Sequence, residues 1–137
     1  MSRVREGGCF CGAVRYRAAG TPYDVTHCHC TICRRLSAAA FVTWATFRSA
    51  DFTVTSGVPA RIASSDRAER TFCGRCGTPL TFRLHARPQE LDVTVCSLDD
   101  PEGVVCEDHT QTATALSWVR LADGLPRHET ARPPVRA

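Results

Sequence analysis

Apolar and polar residues alternate along Val14-Arg15-Tyr16-Arg17, Phe52-Thr53-Val54-Thr55, Leu80-Thr81-Phe82-Arg83-Leu84 and Leu91-Asp92-Val93-Thr94-Val95. A period of two, carried by β-branched and aromatic side chains, marks strands with one buried face. Residues 41–47, with Trp44 among them, form a further run of strand length. Turns are expected where glycine and proline punctuate these runs, at Gly20, Pro22, Gly57, Pro59, Gly77, Pro79 and Pro88. The best helix candidate, residues 31–40, is too short to organise a domain. The pattern predicts a mainly β fold, mostly antiparallel, with few short helical turns.

A length of 137 residues suits one domain, placed at residues 1–125. The segment from Pro126, PRHETARPPVRA, holds three prolines, three arginines and one valine. With little to bury, residues 126–137 are expected to form a flexible tail. No apolar run approaches the ~20 residues of a membrane span, and MSRVREGG lacks the apolar stretch of a secretory signal. No membrane association is therefore expected. The formal charge of +3 is mild and argues against a nucleic-acid partner. All 17 basic residues are arginine; base-composition bias accounts for this, and no anionic ligand is inferred from it.

Cysteine changes the picture. The 43% apolar fraction includes nine cysteines, so the core is thin if they bind metal instead of packing. Their share lies below the ~8–10% of a disulfide scaffold, and an odd count would leave one thiol unpaired. A reduced, cytoplasmic chain follows. Seven of them fall into three groups: Cys9 and Cys11; Cys28, Cys30 and Cys33; and Cys73 and Cys76. Zinc takes four ligands at tetrahedral corners. The Cys73-Gly74-Arg75-Cys76 knuckle supplies two, and Cys9 and Cys11, among Gly7, Gly8 and Gly12, are the natural partners. These four predict a structural site. Cys28, Cys30 and Cys33 predict a second, three-ligand site whose open corner can take water or an incoming thiol. His27 or His29 could close that corner, or both could be structural neighbours. Cys96 and Cys106 are expected to be buried apolar residues. With seven thiolates and two divalent ions, the formal charge of +3 disappears.

The segments GGCFCGAVRY, HCHCTICRR, RTFCGRCGTPL, SLDDPEG and SWVRLADGLPR, in that order and spacing, resemble the glutathione-dependent formaldehyde-activating enzyme family, which includes the centromere protein V type. The resemblance covers roughly residues 5–128. It implies a β-tent fold of antiparallel sheets around zinc. It also implies a structural Zn2+ on Cys9, Cys11, Cys73 and Cys76, and a more exposed, catalytic Zn2+ on Cys28, Cys30 and Cys33. The implied activity is that of S-(hydroxymethyl)glutathione synthase, a carbon–sulfur lyase acting on glutathione and formaldehyde or a related thiol adduct. The alternative is a non-catalytic zinc module that binds glutathione, another thiol or a protein partner. Arg34 and Arg35, directly after the third ligand, are candidates to hold the substrate's carboxylates, against a solvated or internally paired role. Asp99 and Asp100 could orient a substrate amine but better suit a turn or cap before Pro101. Trp118 is expected to anchor the core. Nothing in the sequence sets the oligomeric state.

Overall fold

The computed structural model describes residues 3–133. Among the described residues, ten strands form two sheets. The smaller holds β1 (Val4–Gly8), β2 (Arg15–Ala19) and β5 (Phe52–Ser56) in the order β1-β2-β5. The larger is built from β3 (Tyr23–Cys28), β4 (Val42–Arg48), β6 (Ala60–Ser65), β7 (Ala68–Phe72), β8 (Pro79–Leu84), β9 (Glu90–Thr94) and β10 (Asp108–Thr110). Its order is β10-β3-β4-β9-β8-β7-β6. The fold is mainly β, as the alternation predicts. Each run read as a strand overlaps one, although Val14 and Phe41 precede their strands and Val95 opens a 3-10 turn, Val95–Ser97.

Alternation also sets the burial. Tyr16 and Ala18 are buried on β2, and Leu91 and Val93 on β9. On β4 the stretch Trp44-Ala45-Thr46-Phe47 is buried throughout, so both faces of this central strand are covered. The core gathers Val14, Tyr16, Phe47, Leu80, Leu91 and Val93. Where the sheets meet, the Tyr16 hydroxyl lies 2.6 Å from Ser97 Oγ. Gly7 makes room for that pair, because a Cβ there would fall 2.5 Å from the Tyr16 hydroxyl.

Three features differ from the sequence expectations. The pairing of β10 with β3 is parallel, since the chain returns to the sheet edge only after the long excursion beyond β9. The helix α1 (Thr31–Ser37) is shorter than residues 31–40, because Ala38 turns left-handed at φ 53° and ends it. The segment from Pro126, read as a flexible tail, runs beside β10 as far as it is described. The amide of His109 donates to Pro126 O and that of His128 to His109 O, each at 2.9 Å. Arg132 donates to Asp108 at 2.6 Å and also pairs with Asp24 and Glu107. Polar composition hid this docking, because charge and backbone hydrogen bonds hold the segment in place of apolar burial. Residues 134–137 lie outside the described chain.

Candidate metal centres

Two turns build the first cysteine group. After β1 the chain reverses through Cys9-Phe10-Cys11-Gly12, with the Gly12 amide donating to Cys9 O at 3.2 Å. After β7 it reverses through Cys73-Gly74-Arg75-Cys76-Gly77, with the Gly77 amide donating to Cys73 O at 2.8 Å. Gly12 (φ 79°) and Gly77 (φ 85°) sit in the left-handed region, which glycine enters without Cβ strain. The four sulfurs lie within 4.8 Å of one another. Cys9 Sγ is 3.6 Å from Cys11 Sγ, and Cys11 Sγ is 3.8 Å from Cys73 Sγ. A tetrahedron with Zn–S near 2.3 Å has edges of about 3.8 Å, so the sulfurs fit such an ion.

The surroundings favour the thiolate form at Cys9 and Cys76. The Val14 amide donates to Cys9 Sγ at 3.2 Å, and the Arg75 and Cys76 amides donate to Cys73 Sγ at 3.4 Å. Hydrogen bonding from Thr78, whose hydroxyl is 3.2 Å from Cys76 Sγ, holds that thiol down to about 5. The group bridges the β1–β2 and β7–β8 turns and so ties the two sheets together.

The second group lies at the end of β3 and the start of α1. Cys28 ends the strand, Cys30 caps the helix with its sulfur accepting from the Cys33 amide at 3.2 Å, and Cys33 faces inward. The three sulfurs are also within 4.8 Å of one another, and among the described residues no histidine or carboxylate donor joins them. Hydrogen bonds from Cys28 and Cys33 hold the Cys30 thiol down to about 2. The same sharing, together with burial, pushes Cys28 up. The group thus concentrates negative charge on a shared sulfur site, and its chemistry suits a soft cation.

Neither neighbouring histidine closes the second group. His29 is fully buried, and its Nε2 lies 2.9 Å from His109 Nδ1. His109 Nε2 in turn contacts Asp123 Oδ2 at 2.8 Å. His27 Nδ1 is 2.7 Å from Thr43 Oγ1. Burial holds both His27 and His29 below the ordinary imidazole value. Donors of His27, His109 and Asp123 also come within 4.8 Å of one another. In this arrangement Asp123 is already occupied by His109.

Arg70 is the neighbour that the sequence reading missed. It is buried, 9% exposed, and its Nη2 donates to Cys33 Sγ at 3.4 Å. Its Cζ stands 5.5 Å from the Trp44 ring and 5.0 Å from the Phe82 ring, so two aromatic faces hold the cation. The only sequence signal would have been an arginine at an inward position of β7, a strand that the alternation did not reveal.

Arg34 and Arg35 line an open cavity of about 470 Å³ together with Leu116 and Trp118. Arg34 Nε is buried without a partner. Trp118, expected in the core, is 71% exposed and faces this cavity, because the core is filled by residues that precede it in the chain. Cys96 is exposed, contrary to expectation, since the chain leaves β9 for a 3-10 turn just before it and the strand alternation no longer applies. Cys106 is partly buried, with its thiol near Asp108 O at 3.4 Å. Asp99 pairs with Arg15, and Asp100 with Arg3; Asp100 also precedes the 3-10 turn Pro101–Gly103.

Comparison with known proteins places this geometry. The family described as "Glutathione-dependent formaldehyde-activating enzyme" matches residues 4–114. A Schizosaccharomyces pombe protein named as an uncharacterized lyase is 34% identical over 77 residues, 56% of each chain. A Halomonas elongata protein, named provisionally as a glutathione-dependent formaldehyde-activating enzyme, is 35% identical over 83 residues, covering 55% of this chain and 53% of its own. The chain thus spans about half the length of the curated relatives it matches. The crystal structure of a Rhodobacter sphaeroides protein superposes with a TM-score of 0.55 at 23% identity, covering 90% of this chain and 98% of that one. That likeness supports the fold.

Proposed function

Because the chain belongs to the glutathione-dependent formaldehyde-activating enzyme family, we propose that it is a carbon–sulfur lyase. It would form and cleave the adduct of glutathione, or a similar thiol, with formaldehyde or a related aldehyde. The observation that carries this reading is the difference between the two sulfur groups: one has four donors and the other three. Four thiolates close a tetrahedral zinc, whereas three leave room for an exchangeable ligand. We therefore assign Cys9, Cys11, Cys73 and Cys76 to a structural Zn2+, and Cys28, Cys30 and Cys33 to a catalytic one. We also assign the two sheets, joined through the four-cysteine group, to the β-tent fold.

Zinc bound at the three-cysteine group would supply a lowered thiol pKa and a fixed position for the nucleophile. The chain's own residues supply the rest. Arg34 and Arg35 offer guanidinium forks to the carboxylates of a glutathione-like thiol, and Trp118 offers an aromatic wall beside them. Arg70 offsets the negative charge of three thiolates in a partly dry setting. In the reaction a C–S bond forms and the C=O π pair moves onto oxygen. The proton lost by the thiol ends on the new hydroxyl, and the reverse path regenerates both reactants. Holding the two reactants together removes part of the entropic barrier. Reduced thiols are required throughout, which suits a reducing compartment such as the cytoplasm.

NMR exchange spectroscopy with 13C-formaldehyde and glutathione tests the proposal. Zinc-loaded protein is expected to speed exchange between free aldehyde and adduct. Cys28→Ser should abolish that acceleration and remove one zinc equivalent. Glutathione binding without any acceleration would identify a thiol-binding module instead and sink the enzymatic assignment.

A further inference from the structure

Cys33 borders a second recess, separate from the one lined by Arg34 and Trp118. This cleft of about 280 Å³ opens between α1 and strands β4, β6 and β7. Its apolar walls include Leu36, Trp44, Ile62 and Phe72, and Cys33, Arg70 and three hydroxyl side chains supply its polar lining. Arg70 donates through Nη2 to Cys33 Sγ, yet its Nε is buried without an acceptor. A cleft with apolar walls that reaches a guanidinium beside a sulfur cluster suits a ligand with an acceptor oxygen on a hydrocarbon tail.

We propose that this cleft seats the carbonyl substrate, and that a small hydrophobic aldehyde fits it better than formaldehyde does. The proposal rests on the thiol-addition chemistry above and names its electrophile. Formaldehyde has two heavy atoms and needs about one or two water-sized volumes of ~30 Å³ each, so it would leave most of the cleft empty. An unbranched aldehyde of a few carbons lays its chain between Leu36, Trp44 and Ile62 and turns its oxygen toward Arg70. When sulfur adds to the carbonyl carbon, the π electrons move onto that oxygen. A guanidinium aimed at it stabilises the growing charge before the proton released by the thiol is returned there. No oxidant or further reactant is consumed.

Binding can be read without turnover. Trp44 and Trp118 are the two tryptophans, so in Trp118→Phe protein the Trp44 emission reports the cleft alone. In zinc-loaded Trp118→Phe protein without thiol, propanal, butanal and pentanal should change that emission saturably. Affinity should rise about four-fold for each added CH2, while formaldehyde at equal concentration gives no change. The chain has no lysine, so no side-chain amine forms an imine near Trp44. Ile62→Phe, which fills the cleft from an edge strand, should weaken pentanal binding ten-fold or more with zinc content unchanged. Arg70→Gln should do the same if it folds. An unchanged pentanal affinity in Ile62→Phe, or a response to pentanoate with none to pentanal, overturns the assignment. The wild-type chain then separates the two proposals. If pentanal binds but no aldehyde's thiol adduct forms faster, the cleft stands and the lyase assignment falls. If formaldehyde adduct formation is accelerated and pentanal neither binds nor reacts, the lyase stands and the cleft assignment falls.

Discussion

Asp92 is a carboxylate set on the central strand β9. Burial pushes it up to about 6, although the Thr46 hydroxyl donates to it at 2.6 Å and pulls the other way. The folded state therefore holds this proton more tightly than an unfolded chain near its ordinary 3.8. Asp92 contributes stability that is fully present below about pH 4 and is lost as pH rises through about 6. The displacement is worth at most about 3 kcal/mol. Part of the side chain borders an open cavity, which reduces this to about 1–2 kcal/mol. Asp92→Asn, neutral at every pH, should be more stable than the wild type by that amount at pH 8 and equal to it near pH 4. Urea unfolding midpoints at the two values check this, and equal differences at both would contradict it. Asp92 also marks a limit of legibility. The sequence places it in a strand with period two but does not say that its face of the sheet carries little water. Cys9, Cys11, Cys73 and Cys76 were legible because ligand spacing and glycine turns are local properties. Trp118 was not, because its exposure depends on whether the core is already full, which no local window contains.

Among the elements, β2, β5, β8 and β9 were readable from alternation and β4 as a run of strand length, whereas β1, β3, β6, β7 and β10 were not. The missed strands have specific excuses. β3 ends on His27 and Cys28, one polar or metal-type side chain on each face, β7 places Arg70 where an apolar residue is expected, and β6 is a partly exposed edge. β10 has three residues, and its sequence Asp108-His109-Thr110 is polar although all three are buried. Backbone bonds to Pro126 and His128 and the Arg132 side chain hold β10 from one side, while the His109 ring meets His29 and Asp123 and the Thr110 hydroxyl meets Thr26. That relation makes Arg132 the fastening of an element instead of a surface charge. Its guanidinium reaches Asp108, whose side chain is 6% exposed, while the pairs with Asp24 and Glu107 are more open to solvent. Breaking a fully buried pair costs about 3–5 kcal/mol, and partial exposure reduces the expected loss for Arg132→Ala to about 2 kcal/mol. Amide exchange at His128 and Thr112, which donate across this seam and within it, should quicken more than exchange on β4. A uniform change across the sheet would mean that Arg132 acts on global stability alone.

At the scale of the molecule, the two sheets are joined by few covalently local contacts. Cys11 and Cys73 meet across 62 residues of sequence, beside a shared apolar core and links through Tyr16, Ser97 and the backbone pairing of Gly7 with Leu98. Four closely spaced sulfurs without an ion are poor glue, since any thiolates among them repel one another. With zinc they become a cross-link whose apparent binding energy in small domains is roughly 10–16 kcal/mol. That matches or exceeds the net stability of about 5–15 kcal/mol typical of a domain. Removing metal from the four-cysteine group should therefore unfold the protein, while emptying the three-cysteine group should not, because β3 and α1 are also held by β4. The two can be separated with single substitutions. Cys28→Ser should lose one zinc equivalent and keep a cooperative thermal transition, lowered by only a few degrees. Cys73→Ser should lose the transition altogether, and a strong chelator should do the same to the wild type. Circular dichroism melts paired with metal analysis provide the measurement. A stripped chain that still melts cooperatively, or a Cys28→Ser variant that unfolds as completely as Cys73→Ser, would show that the two cysteine groups do not divide the labour of folding and chemistry in this way.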